Sequence, residues 1–199
     1  MDELQSDLDM EAKQLLDSVF PEKCLQLTKQ IETFSEEERL RLKQLRESAT
    51  VDEQLLDPIA MHRSRICSEI QTLAAQCSIL KTWISLKTPK IEGGNNFGVA
   101  IQRGIACEVA KVMDYCNKVS VQISSHQTTR GDQVKRVNKH PLVEDHKWGL
   151  REGDEMEFYD LKEITVNLRN FYLLLSDMIG KNYSKVTQPK TVKSTSVMY

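Results

Sequence analysis

Glycine and proline are scarce in this chain, 8 and 5 of 199 residues, and aromatic side chains make up only 6%. So few turn-formers and rings exclude a sandwich or barrel, whose many strands need frequent turns, and leave long helices. Neither charge is in large excess. With 27 basic and 29 acidic residues the net charge is −2, which argues against a general nucleic-acid binder living on phosphate neutralisation. There is no run of 18 apolar residues, and the acidic opening Met1–Asp7 has no apolar core. No membrane span or secretory signal is therefore expected, and an intracellular protein is, in cytoplasm or nucleus. The five cysteines, Cys24, Cys67, Cys77, Cys107 and Cys116, are odd in number and scattered, which fits reduced small hydrophobes better than a disulfide frame.

Catalytic motifs are missing as well. The chain contains no H-E-x-x-H, paired C-x-x-C, G-x-S-x-G or Walker-type loop, so no catalytic residue and no cofactor is expected. His140, Glu144, Asp145 and His146 place four possible metal ligands in seven residues, but their arrangement around Pro141 reads as turn chemistry and helix capping, with a metal site as the remote alternative.

What is present is a helical rhythm. At 40% hydrophobic and 28% charged residues, the chain has the make-up of one domain with a sizeable core. From Asp7 to Phe34, Leu8, Leu15, Leu16, Val19, Phe20, Leu25, Leu27 and Ile31 predict an amphipathic helix bent at Pro21. Ser35 to Pro58 is polar and charged, a connection with room for one short helix after the capping pattern Ser35-Glu36-Glu37-Glu38. Ile66, Ile70, Leu73, Cys77, Leu80 and Ile84 then alternate steps of four and three. The beat returns in Ile105, Val109, Val112, Cys116, Val119 and Ile123 and continues through Val134 and Val137 until Pro141, with Gly131 as its weak point. A last helix, opened by Asp154 and Glu155, carries Leu161, Ile164, Leu168, Phe171, Leu175 and Met178. Three seams and a bent first helix predict an all-α fold, a four-helix bundle with long, nearly antiparallel helices over 1–186 and a flexible tail over 187–199.

Between the second and third helices, Thr88-Pro89-Lys90-Ile91-Glu92-Gly93-Gly94-Asn95-Asn96-Phe97-Gly98 concentrates the residues that stop helices or reach positive φ cheaply. It is either a plain turn or a loop shaped for a partner. Helix parity places this loop and the tail at the same pole. The tail carries Lys190 and Lys193 and ends in the apolar Val197-Met198-Tyr199, suited to lying extended in a partner's groove with its carboxylate captured.

The run from Pro89 to Gln102 resembles the activation loop of the eleven-S (REG) proteasome activators, in which P-R-I-E-D-G-N-N-F-G-V joins the second and third helices. Trp83, Arg130-Gly131-Asp132, His140-Pro141 with Asp145, Leu168-Arg169-Asn170-Phe171-Tyr172, and Lys181-Asn182-Tyr183 leading to Pro189 extend the similarity over about 82–199. Nearer the start only Ser18-Val19-Phe20-Pro21 and the helix pattern are similar. Val197-Met198-Tyr199 resembles the M-I-Y ending of some members. The resemblance implies a ring, heptameric in the family, that caps the core proteasome without ATP. It implies tails that dock between outer-ring subunits of the proteasome and a loop that opens the axial gate. The partner-binding residues it nominates are Lys90, Glu92, Gly93, Gly94, Asn95, Asn96, Phe97 and Gly98 in the loop, with Asn95 as the main gate contact, and Val197, Met198 and Tyr199 in the tail. Copies of the same chain, or sibling subunits, would complete the ring. Two departures stand out: Gly93 replaces the family's aspartate, which loosens the free loop, and Lys90 replaces its arginine. The long Lys/Glu-rich insert of some members is also missing. The alternative from another class is a helical scaffold or adaptor that opens no gate.

Overall fold

The computed structural model describes residues 2–34, 56–90 and 96–190, and all regular structure among them is helical. The first column consists of α1 (Asp2–Gln14), a π-helical turn (Leu15–Val19) and α2 (Phe20–Thr33). It is followed by α3 (Leu56–Leu86), α4 (Phe97–Lys139), α5 (Glu144–Lys181) and the short α6 (Tyr183–Thr187). Cross-helix bonds fix the directions. Arg130 meets Asp154, Gln122 meets Asp160 and Tyr115 meets Asn167, so α4 and α5 run antiparallel. Asp9 with Lys87 and Lys23 with Glu69 show the same for the first column and α3. Arg63 with Glu157 and Glu69 with Tyr172 make α3 and α5 parallel. This is the expected up-down-up-down four-helix bundle, each apolar stripe buried by the others.

The seams lie at its centre. Ile66, Ile70, Leu73, Cys77, Leu80 and Ile84 of α3 are all buried, as are Ile105, Val109, Val112, Cys116, Val119 and Ile123 of α4. On α5 the stripe differs at two positions from the one read in the sequence: after Leu168 it runs through Tyr172, Leu175 and Ile179, while Phe171 and Met178 are only partly buried. Tyr172 holds this position because its ring meets Phe20 edge-on at 5.0 Å and its hydroxyl donates to Glu69 at 2.7 Å. A buried tyrosine needs both an apolar wall and a polar end, and only this face supplies them.

Three boundaries differ from expectation. The first helix begins at Asp2 rather than Asp7, and Leu25, counted in its stripe, is 67% exposed. Its irregularity is the π-turn just before Pro21, in which the Phe20 amide donates to the Leu15 carbonyl. Proline has no amide to offer and crowds the carbonyl four residues back, and a widened turn relieves that conflict without ending the helix. The last helix starts at Glu144, ten residues before Asp154, with Glu144 and Asp145 supplying the first-turn negative charge. Gly149 and Gly153 lie inside this helix and are absorbed at about 1 kcal/mol each, because Leu150 and Phe158 of the same segment are buried in packing. Gly131, the expected weak point, leaves α4 unbroken. Pro58 falls inside the first turn of α3, where a missing amide costs nothing. Of the connection expected from Ser35 to Pro58, residues 35–55, with the capping pattern, lie outside the described residues.

Candidate functional site

The pole where α3 ends and α4 begins is built by chain termination. The α3 ladder closes with the Lys87 amide on Trp83 O and the Thr88 amide on Ser85 O. The Thr88 hydroxyl reaches Ile84 O at 3.0 Å, satisfying a carbonyl that the ending helix orphans. Pro89 then prevents continuation. Helix α4 starts after Asn96, whose carbonyl accepts the Ala100 amide at 3.0 Å. Phe97 is 64% exposed in its first turn, while Gly98 and Val99 are buried. Pro89, Lys90, Asn96, Val99, Ala100 and Arg103 line a cavity of about 210 Å³ at this pole.

The last described residues, 182–190, return here, as helix parity requires. Asn182 ends α5 and starts α6: its amide bonds Ile179 O, and its carbonyl accepts the amides of Lys185 and Val186. Tyr183 lies against Trp83, ring centroids 5.9 Å apart. Gln102 then joins three segments. Its side-chain amide donates to Val186 O at 2.9 Å and accepts from the Thr88 hydroxyl at 3.0 Å, and the residue is fully buried. A Cβ on Gly98 would overlap the carbonyl oxygen of Pro189 and sit 2.8 Å from its carbon, so only glycine lets the tail root cross here. Lys190 Nζ reaches Lys90 O at 3.2 Å. Trp83 also donates to Asp9 at 2.8 Å, and Lys87 pairs with Asp9 at 2.7 Å, which ties α1 to the same pole. That pairing with Lys87, aided by Trp83 and opposed by partial desolvation, holds the Asp9 carboxyl below its usual range.

At the far half of the bundle the seams turn polar. Beyond Ile123 the α4 stripe passes through His126 and Arg130 before reaching Val137. Arg130 makes two bonds to Asp154, at 2.6 and 3.0 Å. Arg63 makes two to Glu157, at 2.6 and 2.7 Å, and His126 Nδ1 stands 3.1 Å from the same carboxylate. Asp154, read in the sequence as a helix opener, is thus a buried ion-pair partner. No grouping of three or more His, Cys, Asp or Glu suited to a metal occurs among the described residues; Glu144 instead pairs with Lys147 at 2.7 Å. All five cysteines are free, and burial pushes the Cys77 thiol up to about 12 and that of Cys116 to about 11. No described helix is long and apolar enough to cross a membrane.

Of the nominated loop residues, Lys90, Asn96, Phe97 and Gly98 come together at this pole with the tail root. Glu92, Gly93, Gly94 and Asn95 lie outside the described residues, as do Val197, Met198 and Tyr199. The sequence-based site list omitted Gln102, Val186 and Pro189. Gln102 carried a signal: it sits three residues before Ile105, at a seam position where an apolar side chain belongs, and a polar residue there must find buried partners.

Residues 55–196 match the family model for the C-terminal region of the proteasome activator PA28. Proteasome activator complex subunit 3 of human and of chicken are each 38% identical over 140 residues, 70% of this chain and 54% of the relative. The chain thus spans about half the length of the curated relatives it matches. The crystal structure of the 11S subunit of the Plasmodium falciparum proteasome, PA28, superposes with a TM-score of 0.79 at 26% identity, over 96% of this chain and 92% of that one. The trypanosome activator PA26, solved in complex with the yeast 20S proteasome, shares the fold at TM-score 0.69 and 16% identity over the whole of both chains. This chain belongs to the PA28, or eleven-S, family of proteasome activators.

Proposed function

We propose that this chain is a subunit of a non-catalytic, ATP-independent intracellular activator ring, heptameric as the resemblance implies, that caps the core proteasome and opens its axial gate. The observation that carries this reading is the convergence, in a member of this family, of the loop's two flanks and the tail root on one pole, with Lys190 on Lys90 O and Pro189 over Gly98. Docking and gate opening both act through one face of a partner, so both elements must emerge together. Further support comes from the crystallised relative PA26, whose complex is with a 20S proteasome.

In this reading the tail supplies affinity, through Val197, Met198 and Tyr199 in pockets between outer-ring subunits. The loop supplies the displacement, with Asn95 as the gate contact and Lys90, Glu92, Gly93, Gly94, Asn96, Phe97 and Gly98 shaping and flanking it. No bond is made or broken by the activator. It changes access to an existing protease, which requires only differential binding to the open gate.

The test is hydrolysis of short fluorogenic peptides by a latent core proteasome with added full chain, a variant lacking Val197–Tyr199, and Asn95→Tyr. The expected result is stimulation by the first, no capping by the second, and capping without stimulation by the third. An assembled wild-type ring that neither caps nor stimulates would return the chain to the scaffold reading.

A further inference from the structure

Three segments meet at Gln102, and each belongs to a different part of the proposed activator. Thr88 and Lys90 are the loop's entry flank, Gly98 and Gln102 its exit flank, and Val186, Pro189 and Lys190 the root of the tail. Val186 O lies in the last turn of a five-residue helix, where carbonyls have no intrahelical donor, and the Gln102 amide is its partner. The acceptor end of the same amide faces Thr88, whose single hydroxyl proton lies within reach of both Gln102 Oε1 and Ile84 O. A fully buried amide left with one empty end carries the desolvation cost of that end. Its two ends are satisfied only when the tail root and the loop's entry flank are both in place.

We propose that Gln102 is a positioning residue that couples the tail root to the activation loop, so that a tail held by the core proteasome fixes the loop's height and direction. The proposal rests on the functional reading above. Gly98 is its steric complement: the absence of a Cβ lets Pro189 lie directly on the first turn of α4. The coupling is distinct from affinity, which the last residues of the tail supply, and from the gate contact, which the loop tip supplies.

Gln102→Met keeps the shape and removes both Gln102 bonds, while Thr88→Val keeps the bond to Val186 O and removes the loop-side one together with the hydroxyl's contact to Ile84 O. Amide exchange in the full chain gives a readout independent of the proteasome. In Gln102→Met the amides of Thr88 and Ala100, on the loop flanks, and of Val186 and Gln188, on the tail root, should lose protection together by about tenfold, the scale of one net hydrogen bond. The amides of 168–175 should keep theirs. In Thr88→Val only the loop-flank amides should change. With the core proteasome, Gln102→Met should cap with affinity within about threefold of wild type while maximal peptide hydrolysis falls about tenfold, a split that a merely destabilised bundle would not give. Should Gln102→Met fail to fold, Thr88→Val carries the same test with a smaller loss of stimulation at unchanged affinity. Unchanged exchange on the loop flanks, or affinity and stimulation falling in proportion, overturns the coupling. A wild-type chain that does not stimulate overturns the functional reading instead, and the exchange result still decides whether the two segments move as one.

Discussion

Asp9 shows how much a single carboxylate can organise. It accepts from Trp83 and pairs with Lys87, so α1 is held to the end of α3 just where the loop departs. Because its folded pKa is depressed, its contribution to stability is complete above the ordinary carboxylate range and is lost as pH falls through the lower folded value. Asp9→Asn should therefore melt slightly below wild type at neutral pH, by roughly 0.5 kcal/mol or less since the side chain is partly exposed and screened. The two melting curves should converge in acid, where Asp9 is itself neutral; a gap that widens with falling pH would contradict this assignment. The residue scale is also where the sequence was least legible. Asp9 is more than 70 positions from both Trp83 and Lys87, and no local pattern announces that it meets them. Gln102 was readable as a polar residue on an apolar seam, but its partners were not, since both arrive through chain reversals.

The helices themselves were largely legible, because steps of three and four repeat over many turns in α3 and α4 and each predicted seam residue from Ile66 to Ile84 and from Ile105 to Ile123 is buried. Legibility failed where another rule competes with periodicity. The glycines at 149 and 153 hid the first ten residues of α5, and a tyrosine outcompeted Phe171 for the interior by virtue of its hydroxyl. The far half of α4 hid its seam behind His126 and Arg130, which read as surface residues until Glu157 and Asp154 are seen opposite. Breaking one of these pairs leaves a buried charge, so Glu157→Ala should cost about 3–5 kcal/mol in chemical denaturation. Removing both partners, Glu157→Leu with Arg63→Met, should recover most of that loss, because two apolar side chains of similar volume leave no charge stranded. A double variant no more stable than Glu157→Ala would mean that the pair fixes the register of α3 against α5.

For the whole molecule, the proposed activity depends on number. Fixing backbone on binding costs about 1–2 kcal/mol per residue, so in the proposed activator one tail can contribute only modest affinity. Several tails on one ring raise the effective concentration, with avidity gains of about 10²–10⁴. A peptide of residues 187–199 should thus bind the core proteasome far more weakly than the assembled chain does, by competition against a labelled ring. Equal affinities would remove the need for assembly. The likeness to the eleven-S loop made the family legible in the sequence, whereas seven-fold symmetry has no signature in any seam.

The fold also separates its ends. The turn at Pro141–Val143 presents Leu142 at 94% exposure, while Gln102 lies near the opposite end of α4. From Gln102 to Lys139 the rise is roughly 55 Å at 1.5 Å per residue. Over that span the intervening core behaves as a stiff rod between two workshops. Insertions, fused domains or drift at the distal turn need not disturb the junction beneath the loop. In the proposed activator, one end can be remodelled while the other stays a fixed socket, and a bulky reporter grafted at Leu142 would ride outside the complex without touching the gate.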